Sequence, residues 1–186
     1  MRKFFLIVAA ISIAVVPPSM AIAQGEMAGG FGVEVAVPMG NFGDVADMGF
    51  GGTATFYYDY KPGITLMGHA GYITWGGKSD VAFLSDISYS AIPIQGGAKY
   101  YWNEGTNRPY AGGLAGFHFF SWEWNYQLFG NPTSVSESEI KISLAPMVGY
   151  EMKVGEKMIA DFSARYQYVS GNLSYLAVRA GLLFSL

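Results

Sequence analysis

The chain has 186 residues, with 11 Lys or Arg against 14 Asp or Glu and a formal net charge of −3, which offers no basic surface for a nucleic-acid partner. It has no cysteine, so no disulfide framework holds it. Its 25 glycines, 13 Tyr, 13 Phe and 4 Trp, with only 13% charged residues, suit neither a disordered chain nor a helical bundle.

The first element is "MRKFFLIVAAISIAVVPPSMAIAQ": a charged start at Arg2 and Lys3, an apolar run from Phe4 to Val16, and small residues at Ala21 and Ala23. This is the pattern of a secretory signal peptide over 1–23 with an A-x-A cleavage site, leaving a single domain over 24–186. The apolar run is too short to span a bilayer. Cleavage removes two basic residues and no acidic one, so the exported domain is more acidic than the full chain. No cysteine follows the run to carry a lipid anchor.

Beyond Ala28 no stretch of about 18 apolar residues occurs that would make a transmembrane helix. Eight segments of alternating character recur instead, bounded by Gly, Pro, Asn, Asp or Ser. They fall at about 29–38, 49–60, 64–75, 91–102, 110–124, 140–152, 158–169 and 174–185. The second, fourth and sixth connections are short ("KPG", "NEGTNRP", "KVGEK"). The first, third and fifth are long ("MGNFGDVADM", "GGKSDVAFLSDISYS", "NYQLFGNPTSVSESE"), and the seventh, "VSGNL", is again short. Short turns on one rim and long loops on the other match a membrane barrel with periplasmic turns and external loops.

A period of two gives each segment two unlike faces. One series is apolar: Phe31, Val33, Val35 and Val37; Phe50, Ala54, Phe56, Tyr58 and Tyr60; Ile64, Leu66, Ala70 and Tyr72; Ile92, Ile94, Ala98, Tyr100 and Trp102. It continues with Tyr110, Leu114, Phe120, Trp122 and Trp124; Ile140, Ile142, Leu144, Val148 and Tyr150; Met158, Ala160, Phe162, Ala164, Tyr166 and Tyr168; and Leu176, Val178, Ala180, Leu182, Phe184 and Leu186. Its aromatics gather at the strand ends, as in the two girdles of a lipid-facing band, where Tyr and Trp have one end apolar and the other wet. A soluble sandwich gives no reason for aromatics to sort by height.

The opposite series is polar: Glu34, Thr53, Thr55, Asp59, Thr65, His69, Gln95, Lys99, Glu123, Lys141, Ser143, Glu151, Asp161, Ser163, Arg165, Gln167 and Arg179. An eight-stranded barrel is barely wide enough for its own side chains, so these groups fill the lumen, and their charges need partners. The expected lumen cluster is Glu34, His69, Lys99, Asp161, Arg165 and Arg179. The first and last strands must pair, because lipid cannot satisfy an open edge.

His69 reads as a hydrogen-bonding group of the lumen. His118, in "GFHFFSWEW", interrupts the outward series of the fifth strand, and a bulge near Phe119 and Phe120 is the expected cause. Neither histidine has a partner at metal-ligand spacing, so no metal or other cofactor is expected. The "GGFG" and "GFGG" runs lack the strand-to-helix context of a phosphate loop. Val81, Phe83 and Leu84 in the second long loop, and Leu128 and Phe129 in the third, are candidates to cap the barrel or meet an external ligand.

The stretch "VPMGNFGDVADMGFGGTATFYYDY", a strand ending in Val-Pro, a Gly-Asn-Phe-Gly loop and a Gly-rich second strand, resembles the outer membrane protein beta-barrel domain family of small bacterial porin-like barrels. The ending "LAVRAGLLFSL" resembles the strand that outer-membrane assembly machinery recognises, with Leu186 at the usual terminal Phe and Phe184 two residues earlier. The resemblance implies an all-β, eight-stranded antiparallel up-and-down transmembrane β-barrel in the bacterial outer membrane. Its partners would be outer-membrane lipid and lipopolysaccharide, with assembly machinery during biogenesis, and the barrel would be a monomer. It does not specify an activity. A non-enzymatic structural or surface-interaction role is the reading adopted. The alternatives are a narrow channel for small solutes, hydrophobic ones included, and a lipid A-modifying enzyme. Some barrels of this kind deacylate lipid A with a His and a Ser two residues apart on the lipid face, whereas His118 and Ser121 are three apart, on opposite faces of a regular strand.

Overall fold

The computed structural model describes residues 25–78, 87–103, 105–128 and 131–186, and for 124–128 and 131–135 the backbone only. The expected signal peptide and the loop residues Val81, Phe83, Leu84 and Phe129 lie outside the described residues, as does the side chain of Leu128. Eight strands and one short helix follow in order: β1 (Met27–Pro38), α1 (Asn41–Val45), β2 (Gly49–Lys61), β3 (Ile64–Gly76), β4 (Ile87–Tyr101), β5 (Asn107–Leu128), β6 (Asn131–Lys153), β7 (Met158–Val169) and β8 (Tyr175–Ser185). Each strand pairs antiparallel with its neighbour in sequence, and β8 pairs with β1, closing the barrel. The closing register runs from Ala28↔Ser185 to Pro38↔Tyr175, so no edge is left along either terminal strand.

The alternation sets the faces. Along β7, Ile159, Asp161, Ser163, Arg165, Gln167 and Val169 are buried, while Phe162, Tyr166 and Tyr168 stand outside. On β1 Phe31 is 73% exposed and Glu34 2%. This is inverted relative to a soluble protein: the exterior belt is apolar and the interior carries the charge. Among the described residues no helix is long and apolar enough to cross a membrane, which leaves any crossing to the strands.

β5 corrects the sequence reading. No bulge interrupts it: its register with β6 is one-to-one from Asn107↔Met152 to Leu128↔Asn131, and that with β4 is equally regular. The even positions therefore all point inward. Tyr110, Leu114 and Phe120, expected on the lipid face, are buried with His118 inside the barrel, and Trp122 packs against the same interior cluster. Phe117 and Phe119 form the outer face instead, and Glu123, expected in the lumen, is exposed outside. Aromatics occupy both faces of "GFHFFSWEW", so alternation alone does not orient this strand. Arg108, with the parity of His118, carries the missing signal.

The fifth connection is corrected too. "NYQLFGNPTSVSESE" continues the strands, so β5 and β6 run to Leu128 and from Asn131 as one long ribbon beyond the barrel wall. The first connection contains α1, which follows Gly40 at φ 57 and places Phe42 in the mouth. The second is a tight Pro62-Gly63 turn with Gly63 at φ 75, where a residue with a Cβ would be strained.

Candidate functional site

The inward side chains of the described lumen stack in three layers, and below them a cavity opens at the short-turn mouth, lined among others by Tyr57, Thr65, Tyr101, Arg108 and Glu151. At the long-loop mouth, Phe42 of α1 meets Trp75, Tyr89 and Phe120 edge-on with ring centroids 5.5–5.6 Å apart. Trp75 stacks on Phe120 at 5.7 Å and meets Tyr175 at 5.2 Å. The Trp75 indole N–H donates to the Ala36 carbonyl at 3.2 Å, so this aromatic plug hides no lone donor. Small residues at Ala36, Ala91 and Ala177 give the rings room.

Below the plug lies a polar layer. Gln95 and Gln167 exchange amide hydrogen bonds, both 3.0 Å, across the barrel, and Gln95 also donates to Ser143. His118 and Tyr175 share a 2.8 Å hydrogen bond. Arg165 donates to Glu34 in a buried ion pair and, at 3.0 Å, to Nε2 of His69. An arginine has no acceptor, so Nε2 of His69 must be the unprotonated ring nitrogen.

The third layer centres on Asp161. One carboxylate oxygen accepts from Tyr110 at 2.6 Å; the other accepts from Arg179 at 2.9 Å, Tyr57 at 3.0 Å and Lys99 at 3.4 Å. Arg179 also donates to Thr53 and Thr55. Lys99 reaches Glu151 at 3.0 Å and lies 4.0 and 4.1 Å from the ring centroids of Tyr57 and Tyr110. Glu151 accepts further bonds from Tyr101 and from Arg108, at 2.7 and 2.6 Å, towards the short-turn mouth. Each buried charge thus has an opposite charge in contact, the condition for keeping ions in a low-dielectric interior.

All six residues of the expected cluster face the lumen, but in two groups rather than one. Asp161, Lys99 and Arg179 form one network; Glu34, Arg165 and His69 form the other. Glu34 lies opposite Arg179 in the β1–β8 register yet pairs with Arg165. Of the other expected lumen groups, Asp59 is half-buried near the short-turn mouth and Lys141 half-buried above the barrel beside Glu139. Sequence reasoning missed four interior tyrosines, Tyr57, Tyr101, Tyr110 and Tyr175. The inward parity of the first two follows from their outward neighbours Phe56 and Tyr100.

Among the described residues, no three or more His, Cys, Asp or Glu side chains converge to hold a metal ion. His118 is buried in the lumen while Ser121 lies on the outer face and bonds Ser138 at 2.8 Å, so the two share no site.

No protein-family model and no curated protein matches this sequence. Solved structures do match the fold. Neisserial surface protein A aligns with a TM-score of 0.62 and 17% identity over 88% of this chain and 100% of its own. The outer membrane protein OprG of Pseudomonas aeruginosa aligns at 0.63 and 12% over 88% and 96%. Ail, the attachment invasion locus protein of Yersinia pestis, solved with the heparin analogue sucrose octasulfate, aligns at 0.57 and 16% over 88% and 99%. With its closed eight-stranded antiparallel sheet, this chain therefore shares its fold with small outer-membrane β-barrels.

Proposed function

We propose that this protein is a non-conducting barrel of the bacterial outer membrane whose work is done at its long-loop rim. The lumen carries the argument: aromatic plug, amide pair and ion networks occupy the cross-section in succession, and the largest buried side chains include Trp75, Arg165, Tyr110, Tyr175 and Lys99. A solute path would have to break buried ion pairs. The exterior supports insertion in lipid, with Phe31, Val33, Ile92, Ile94, Val148 and Val178 exposed between ends rich in Tyr, Phe and Trp.

The rim distinguishes this chain from a polyanion binder. Among the described residues it exposes Asp44, Asp47, Glu123, Glu137 and Glu139, against half-buried Lys78 and Lys141. The short-turn rim is mixed, with Lys61, Arg108, Lys153 and Lys157 beside Glu26, Asp59 and Glu156. An acidic outer rim selects cationic partners and repels sulfated ones such as the ligand solved with Ail.

Single-channel recording of the refolded protein in planar bilayers, with heat-modifiable gel migration on the same sample, tests this reading. Heat-modifiable protein without reproducible conductance is the expected result. Steady conductance would overturn it and make the ion networks a gate.

A further inference from the structure

We infer that the free edge of β6 above the barrel is a strand-addition site for an extended, basic peptide segment. β7 pairs with β6 only from Ser143↔Val169 to Lys153↔Ile159, whereas β5 pairs with β6 along its whole length. Residues 131–142 of β6, roughly 40 Å of strand at the usual rise, thus have one hydrogen-bonded side and one open side. The last bond on the open side is from the Ser170 N–H to the Ile142 carbonyl at 3.0 Å. Backbone direction alternates along a strand, so the N–H and C=O of Ile140, Ser138 and Ser136 point the same way as Ile142. Among the described residues nothing pairs with them.

This edge has Pro132 at its tip and inward charges at Glu137, Glu139 and Lys141, which guard it against pairing with a second copy of itself. Over 133–142 it has no Pro and no bulge, its register with β5 is unbroken, and the side chains at Ser136 and Ser138 are small and exposed. The flanking side chains choose the occupant. Glu137 and Glu139 project on the mouth-facing side and Glu123 on the other, with Lys141 engaging Glu139 alone. A second copy of β6 would set like charges side by side; a strand carrying Lys or Arg at alternate positions would complement them. Ile140, 64% exposed on the outer face, favours Val or Thr at the intervening positions. The inference names the partner class for the rim proposed above and so rests on that rim facing outward.

The probe is a fluorescent nonapeptide alternating Lys with Val and Thr, titrated by anisotropy against the full mature protein in detergent. A second peptide of the same sequence, N-methylated at every other residue, cannot extend the ladder. Binding at least tenfold tighter for the unmethylated peptide is expected, with new amide protection at Ser136, Ser138 and Ile140. Ser138→Pro, which removes one open-edge N–H, and Glu137→Lys with Glu139→Lys should each weaken binding tenfold or more. Equal binding of the two peptides, no binding, or insensitivity to these substitutions would overturn the inference. So would concentration-dependent dimerisation abolished by Ser138→Pro, which would make a second copy the occupant. Labelling of Ser138→Cys in intact cells by a membrane-impermeant maleimide reads the orientation separately. Labelling is expected, and its absence would overturn the outward rim whatever the peptide result.

Discussion

Asp161 is the residue on which the interior turns. It touches two cations and two phenols contributed by four different strands. Asp161→Ala leaves Arg179 without its carboxylate partner, while Lys99 keeps Glu151. The expected cost is about 3–5 kcal/mol, read as a lower urea midpoint for unfolding from lipid vesicles. The Glu34–Arg165 pair should behave differently when replaced whole. Glu34→Ala alone should destabilise the barrel, while Glu34→Leu with Arg165→Met should recover most of the loss, because the pair's attraction barely exceeds its desolvation cost. A double variant no better than the single one would mean that the pair does more than fill space. Arg179 shows what such filling demands of the backbone. Its guanidinium lies over Gly32, where a Cβ would come within 2.8 Å of Nε, so Gly32 sits where a larger residue would displace the charge.

The elements are unequal in what they hold. α1 is five residues long and lacks a side-chain cap, so propensity does not stabilise it. Phe42 holds it, through ring contacts with three strands. Phe42→Ala should cost about 3 kcal/mol by the same unfolding assay. The variant should still not conduct, since the polar layers beneath the plug remain full. Conductance appearing with Phe42→Ala would make α1 a lid over a pore. β5 shows the limit of reading an element alone. In the other strands the charged residues mark the inner face, but β5 has Glu123 outside, above the barrel wall, and aromatics on both sides. Its orientation is fixed by the one-to-one ladders to β4 and β6, which carry no sequence signature of their own.

For the whole molecule the decisive contact is between β1 and β8, far apart in sequence. Eleven register pairs join them, comparable to the ladders between adjacent strands. In an open sheet both strands would exchange their outer amides quickly. Here hydrogen exchange in detergent should be as slow over 30–36 and 177–183 as in β3 and β4, with fast exchange confined to the rims and to the open side of β6. Fast exchange along β1 would show that the barrel is not closed. The long ribbon of β5 and β6 adds a second property at this scale: above the barrel wall it carries an acidic strand paired on one side only.

The sequence by itself determined the number of strands, their order and, for most of them, which face is apolar. Those features follow from a period of two and from turn residues, which are local. It also placed all six cluster residues on the inner face, because a strand's parity fixes its side. What only the tertiary structure decided is which inward groups meet. Barrel tilt and stagger shift heights between strands, so Glu34 pairs with Arg165 of β7 rather than with Arg179 opposite it, and Asp161 gathers partners from across the lumen. The face of β5, the plug made by Phe42 and the open edge of β6 were likewise decided there. Each depends on where neighbouring strands stop, and that is a property of the assembled sheet rather than of any one strand.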